Sequence, residues 1–261
     1  MFKRLLQASF LLLISGCTVH RVSREIQQTM VEAAPEKLAT LLRDIKQSSQ
    51  RQSVSKTLWL VHSSYKDRDD YFRLSLVLAK SGDLRFDLLP KTGSTSLGLG
   101  VVTADRSIFL DPAERKAYLG GPHSPLLRRA LGIELDPTEF AGLVLGQVDL
   151  PSENVQDYHL WCMTEAGSCV LEWADFQRLW WFEGLSLRPS KIEHRRAQTE
   201  RLILNAEYHW GAQGPTRAQI ETTDPAIRFN LENALNQSAQ QVSQKLFEIS
   251  PPQSYTISSL P

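Results

Sequence analysis

Arg73-Leu74-Ser75-Leu76-Val77-Leu78, the turn Ser81-Gly82-Asp83, and then Leu84-Arg85-Phe86-Asp87-Leu88 decide the fold class. Leu74, Leu76 and Leu78 share one side of an extended segment, opposite Arg73, Ser75 and Val77, and Leu84, Phe86 and Leu88 repeat the two-residue period. This is a β-hairpin with one apolar face. Toward the C-terminus, Leu97, Leu99 and Val101 continue the alternation after the turn-rich 90–94, and segments 107–110 and 115–119 pair around Asp111-Pro112. Strand patterns return at 158–162, 169–173, 178–183, 185–195, 202–210 and 226–231, followed by a short polar helix or turn at 237–246 and a final extended piece.

Helices interrupt this series twice. Pro35 opens one, with Leu38, Leu41, Leu42 and Ile45 at helical spacing to about residue 47. After the sheet-breaking Gly120-Gly121-Pro122, Leu126, Leu127, Ala130 and Leu131 form a short helix closed by Gly132. Asp136-Pro137-Thr138-Glu139 then caps another, with Glu139 placed to reach back to the cap and Phe140, Leu143 and Val144 following. Strands in runs with helices grouped together imply an α+β domain whose single sheet curls and is covered by those helices.

Met1-Phe2-Lys3-Arg4, the apolar 5–14 and Leu13-Ile14-Ser15-Gly16-Cys17 have the form of an export signal that ends in a bacterial lipoprotein box. An apolar run of about ten residues is half of what a spanning helix needs, so cleavage before Cys17 is expected. The two or three acyl chains of such a cysteine, palmitate among them, would hold the chain permanently on a membrane. Thr18 in place of an aspartate resembles the enterobacterial signal for the outer membrane, giving a lipid-anchored protein that faces the periplasm. The expected division is a signal peptide over 1–16, a flexible lipid-anchored tether over 17–34 and a folded domain over 35–261.

About 245 residues after cleavage fit one large domain. Lysine plus arginine equals aspartate plus glutamate at 29 each, which leaves no field to recruit nucleic acid. Cys162 and Cys169 remain as an even pair around a turn-like linker, and a bridge across a hairpin is the economical reading for an exported chain. A metal site with His159 is the rival, without an obvious fourth ligand.

Catalytic patterns are scarce. The six histidines form no helical metal pair, Ser124 lacks the glycines of a nucleophile elbow, and Leu97-Gly98-Leu99-Gly100 opens no phosphate-binding helix. Strand flexibility or close backbone approach explains those glycines better. Asp67, Arg68, Asp69 and Asp70 read as a solvated turn. Trp161, Trp173, Trp180, Trp181, Phe182, Tyr208 and Trp210 crowd the second strand set, either filling the interior or lining a cavity for an acyl chain. No enzyme, cofactor or metal is expected.

Leu88-Leu89-Pro90 with Gly93 and Leu97, Asp111-Pro112, Ala117-Tyr118-Leu119-Gly120, Leu131-Gly132-Ile133-Glu134-Leu135-Asp136-Pro137-Thr138-Glu139-Phe140 with Leu145-Gly146, and Phe247-Glu248-Ile249 before Pro251-Pro252 together resemble the outer-membrane lipoprotein-sorting group, LolA/LolB-like. The resemblance spans roughly residues 35–260. It implies a strongly curved antiparallel β half-barrel, here of about 10–11 strands, with an N-terminal helix and a helical lid inserted mid-chain. It also implies an acyl-chain cavity walled by Trp59, Leu74, Leu76, Leu84, Phe86, Leu97, Leu99, Trp173, Trp180 and Phe182, under a lid of Leu126, Leu127, Leu131, Phe140 and Leu143. Loop 90–96 departs from the lipoprotein receptor, offering Lys91 and small polar residues where the receptor exposes an apolar one, and the Cys162/Cys169 pair is a second departure.

The expected function is binding or transport of acyl chains or lipoproteins by a monomer held at the outer membrane through Cys17. The alternative is a non-enzymatic envelope scaffold whose cavity is filled by its own side chains.

Overall fold

The computed structural model describes residues 26, 28–51, 54–163, 167–173, 177–184, 186–196, 199, 201–239 and 242–260. Its central region includes the hairpin that the alternation marks out. Strands β2 (Val54–Tyr65), β3 (Arg68–Leu78) and β4 (Leu84–Pro90) run antiparallel, with Trp59 opposite Leu74 and Leu74 opposite Leu88. The long β14 (Ala226–Ala239) pairs with the other side of β2 over nearly its whole length. The hairpins β5 (Gly98–Val102), β6 (Ser107–Asp111) and β7 (Lys116–Gly120) extend the sheet one way. Strands β8 (Tyr158–Cys162), β9 (Cys169–Trp173), β10 (Arg178–Phe182), β11 (Pro189–Arg195), β12 (Leu202–Gly211) and β13 (Gly214–Thr223) extend it the other.

Among the described residues fifteen strands thus lie in one sheet, in the order β1-β8-β9-β10-β11-β12-β13-β14-β2-β3-β4-β5-β6-β7-β15, where β1 is Val31–Glu32 and β15 is Thr256–Ser259. The edge strands are two and four residues long and do not bond to each other, so the sheet is open. This corrects the expected half-barrel: the strands form an open antiparallel sheet that is neither closed nor strongly curled, with only β7–β15 parallel. Alternation and helical cover are satisfied equally well by an open sheet. Two of the strands beyond the expected 10–11 are hidden in the sequence for a physical reason. In β2, Leu58 and Leu60 put apolar side chains on the face opposite Trp59 and Val61 and blur the period, and β13 begins with Gly214-Pro215 and carries mostly polar or small residues.

Helices cover one face. Helix α1 (Pro35–Arg51) buries Leu38, Leu41, Leu42 and Ile45, the stripe its spacing marks out. Helices α2 (Leu126–Leu131) and α3 (Pro137–Val144) connect the two wings of the sheet, and all three pack on a single core that includes Trp59, Leu74, Phe86, Trp180 and Phe229. Gly132 ends α2 in the left-handed conformation at φ 76°, its N–H donating to the Arg128 carbonyl oxygen.

The chain ends cover the opposite face. Ile26 and Met30 bury against Val170 and Leu179, flanked by Trp161 and Trp181, and Val31–Glu32 then pair with β8. Of the expected tether, therefore, the described residues from 26 onward lie on the sheet; Cys17 and the signal segment fall outside the described residues. Phe247 buries against Val77 and Val101, and of the helix or turn expected at 237–246 the first part is the end of β14 and the last part a short 3-10 turn at Gln244–Phe247.

β5 inverts one expectation. Gly98, Gly100 and Val102 face the core, while Leu97, Leu99 and Val101 face the opposite side, where Val101 is buried under Phe247 and Leu97 is 51% exposed. The glycines are there because aromatic rings occupy the space. A Cβ on Gly100 would lie 2.2 Å from the Phe86 ring, and one on Gly98 would lie 2.8 Å from that of Phe109. Phe86, Phe109 and Tyr118 stack in turn across the sheet at centroid spacings of 6.3 Å.

Candidate ligand cleft

Between the sheet, α1, α3 and loop 145–155 lies an open cleft of about 1700 Å³. Its apolar wall includes Leu42 and Ile45 from α1, Leu143 from α3, and Trp180, Ile192 and Trp210 from the sheet. Each arrives there by local geometry. The α1 residues extend its buried stripe toward the opening, and Trp180 and Ile192 are cross-strand partners on the inner face of β10 and β11. Gly146 is left-handed at φ 64°, and a Cβ there would sit 2.7 Å from the Trp210 ring, so only glycine lets loop 145–155 close over the tryptophan.

Polar groups fix α3 to the sheet. Asp136 caps the helix by accepting from the N–H groups of Thr138 at 2.8 Å and Glu139 at 3.3 Å, and it meets His123 Nδ1 at 2.9 Å. Burial pushes the Asp136 carboxyl up, but the Thr138 and His123 hydrogen bonds outweigh it and hold it below the ordinary range. Glu139 does not close a capping box. Its carboxylate accepts from Arg178 at 3.2 Å and lies 3.2 Å from His194 Nδ1, two residues that stand opposite each other on β10 and β11. Burial again pushes upward, while the His194 hydrogen bond and the Arg178 charge pull this carboxyl net downward. Arg178 also pairs with Asp149 at 3.5 Å, and Lys46 on α1 reaches Glu153 at 2.8 Å. At another side of the cleft Arg188 donates to the carbonyl oxygens of Gly211 at 2.8 Å and Ala212 at 3.0 Å, with its guanidinium over Trp210.

Of the residues assigned to the cavity wall, Trp59, Leu74, Leu76, Leu84, Phe86, Trp180 and Phe182 are buried in the packed core; Leu99 and Trp173 are half-buried and Leu97 points outward. Among these only Trp180 lines the cleft. From the lid, Leu126, Leu127 and Phe140 are core, Leu131 is half-buried against it, and Leu143 is buried yet borders the cleft. The Glu139, Arg178 and His194 group was missed. Its members are up to 55 positions apart in the chain, and only the β10–β11 register brings them together.

Cys162 and Cys169 are bridged across the β8–β9 hairpin, with Cα atoms 4.1 Å apart, and His159 meets Glu32 at 2.8 Å rather than a metal. Among the described residues no group of three or more His, Cys, Asp or Glu side chains could hold a metal ion, and no helix is long and apolar enough to cross a membrane. His123, the neighbour of Ser124, is engaged by the Asp136 cap.

No protein-family model matches the chain, and no curated protein matches it. Solved structures do share its fold. A LolA superfamily protein from Nitrosomonas europaea superposes with a TM-score of 0.52 at 14% identity, covering 79% of this chain and 97% of that one. A domain named for outer membrane lipoprotein sorting from Vibrio parahaemolyticus gives 0.50 at 12%, covering 82% and 97%. A DUF1329 family protein from Desulfovibrio piger gives 0.52 at 11%, covering 84% and 98%. At these identities the likeness is one of fold: the chain has the architecture shared by LolA-like, lipoprotein-sorting and DUF1329 proteins.

Proposed function

We propose that this chain is a non-enzymatic envelope lipoprotein, anchored to the outer membrane through Cys17, that binds an acyl chain in its cleft and passes it on. The observation that carries this reading is the cleft itself, open, about 1700 Å³ in volume, with the accessible apolar side chains of Leu145, Val148, Leu187 and Trp210 in its lining. That exceeds the roughly 300–1,000 Å³ of sites for drug-sized ligands and suits a long, flexible apolar ligand. The shared fold with proteins named for lipoprotein sorting supports the same class of ligand. Full burial of a sixteen-carbon chain would release about 12 kcal/mol gross, so a carrier that must let go is better served by a cleft that leaves part of the chain wet. The test is to purify the protein from a membrane-containing host, extract it for mass spectrometry and offer it labelled palmitate. Bound lipid, or uptake near one chain per protein, is expected, and an empty protein that takes up none would sink the reading. Cys17→Ala should free the protein from membranes while leaving uptake intact.

One observation favours a second reading, an envelope scaffold: the side chains assigned to a hollow are packed, with Trp59 fully buried and Phe86 and Trp180 each 1% exposed. In-cell crosslinking that captures a stable protein partner, together with absence of lipid, would select it.

A further inference from the structure

The bridged cysteines have an unusual neighbour. Lys37 Nζ lies 3.4 Å from Cys162 Sγ and 3.9 Å from Cys169 Sγ. The chain builds this contact deliberately at the start of α1. Val31 pairs with Cys162, the Ala33 N–H donates to the Leu160 carbonyl oxygen at 2.7 Å, and the helix begins two residues later, so its first turn is laid over the end of the β8–β9 hairpin. Lys37 is half-buried there, and among the described residues no carboxylate lies within ion-pair distance of it. A neutral disulfide gives an ammonium little electrostatic reward. A thiolate gives it a great deal.

We infer that Cys162–Cys169 is an exchangeable bridge, a site for thiol–disulfide exchange with a dithiol, and that Lys37 is its positioning residue, stabilising the thiolate that leaves. The two sulfurs differ in access: Cys162 is half-buried and Cys169 is 2% exposed. An incoming thiolate therefore attacks Cys162 Sγ. The S–S bond breaks with its electron pair moving to Cys169 Sγ, which becomes a thiolate beside the Lys37 ammonium. The second sulfur of the dithiol then attacks the mixed disulfide, forms its own ring disulfide and releases Cys162 as a thiolate. The dithiol loses two electrons and two protons: the electrons reduce the two cysteines, one proton neutralises the Cys162 thiolate and the other passes to water, leaving the Cys169 thiolate beside Lys37. In the reduced state an ion pair between α1 and the hairpin replaces the covalent staple, and the helix start stays docked.

The test uses the full chain, oxidised, with dithiothreitol at pH 7. Lys37→Met keeps the apolar stem and removes the charge. It should slow reduction about ten-fold and shift the equilibrium with dithiothreitol toward the disulfide by a similar factor. Lys37→Arg restores charge and should return both to within about three-fold of the original protein. Because methionine preserves packing, a purely structural lysine predicts no change in either quantity, and that result would overturn the inference. Lys37→Gln serves as a second neutral variant if the methionine protein does not fold, and the same pair of outcomes applies to it. Neither readout involves lipid, so the inference stands or falls independently of the acyl-chain reading.

Discussion

The Tyr208 hydroxyl, buried on β12, donates to the Leu143 carbonyl oxygen at 2.7 Å and so ties the last turn of α3 to the inner face of the sheet. Burial raises the phenol above its ordinary range, which favours the neutral form that donates. Because the Gly146 N–H also donates to the Leu143 oxygen at 3.0 Å, removing the hydroxyl does not orphan the carbonyl. Tyr208→Phe should therefore cost about 1 kcal/mol, seen as a drop of roughly 2–4 °C in thermal midpoint, rather than the larger penalty of an unpaired buried group. An unchanged midpoint would show that the helix end is held by packing alone.

Glu139 makes the same attachment sensitive to acid. Its carboxyl is held below the ordinary 4.5, burial opposing and His194 and Arg178 prevailing, so its contribution is complete above 4.5 and fades as pH falls through the depressed value. Glu139→Gln should be less stable than the original protein at pH 7, with the gap in urea midpoint narrowing below pH 4.5. Parallel midpoint curves across that range would show that the carboxylate contributes nothing through its charge.

Gly100 and Gly121 form a matched pair for packing. A Cβ on Gly100 meets the buried Phe86 ring at 2.2 Å, whereas one on Gly121 meets nothing within 4 Å, and neither has a left-handed backbone. Gly100→Ala should cost about 1–3 kcal/mol by overpacking, and Gly121→Ala should stay within roughly 0.5 kcal/mol of neutral. Equal chemical-denaturation midpoints for the two variants would mean the Phe86 ring moves aside freely.

Gly142 lies on α3, borders the cleft and faces open space. Gly142→Trp should fill part of the opening without a clash, with stability level or roughly 0.5 kcal/mol higher because glycine is a poor helix former. Uptake of labelled palmitate should be lost. Retained uptake in a folded Gly142→Trp protein would place the ligand elsewhere.

What could be read from the chain followed a single rule: side chains that alternate between wet and dry announce themselves. Leu74, Leu76, Leu84 and Phe86 did so, as did the α1 stripe and the Asp136 cap. Strand β2 did not, because Leu58 and Leu60 make its outer face apolar too. β5 alternates correctly but with its faces reversed, since leucines look more like core than glycines do until the rings of Phe86 and Phe109 are placed beside them. Seven of the ten apolar residues named for a cavity are interior, Leu99 and Trp173 are half-buried and Leu97 is exposed, and a hydrophobic interior and a hydrophobic opening have the same composition. The cleft is set instead by long-range pairings such as Arg178 with His194, which no local pattern encodes.

The seating of Ile26 and Met30 on β9 and β10 also has a mechanical side. Tension applied ahead of Ile26 is spread over that apolar contact and then enters the sheet at Val31, whose partner is the bridged Cys162. A pull on so short an edge would otherwise peel β8 away one hydrogen bond at a time. The bridge makes β8 and β9 share that load, and reducing it would leave their hairpin held by its hydrogen bonds and by the Lys37 contact.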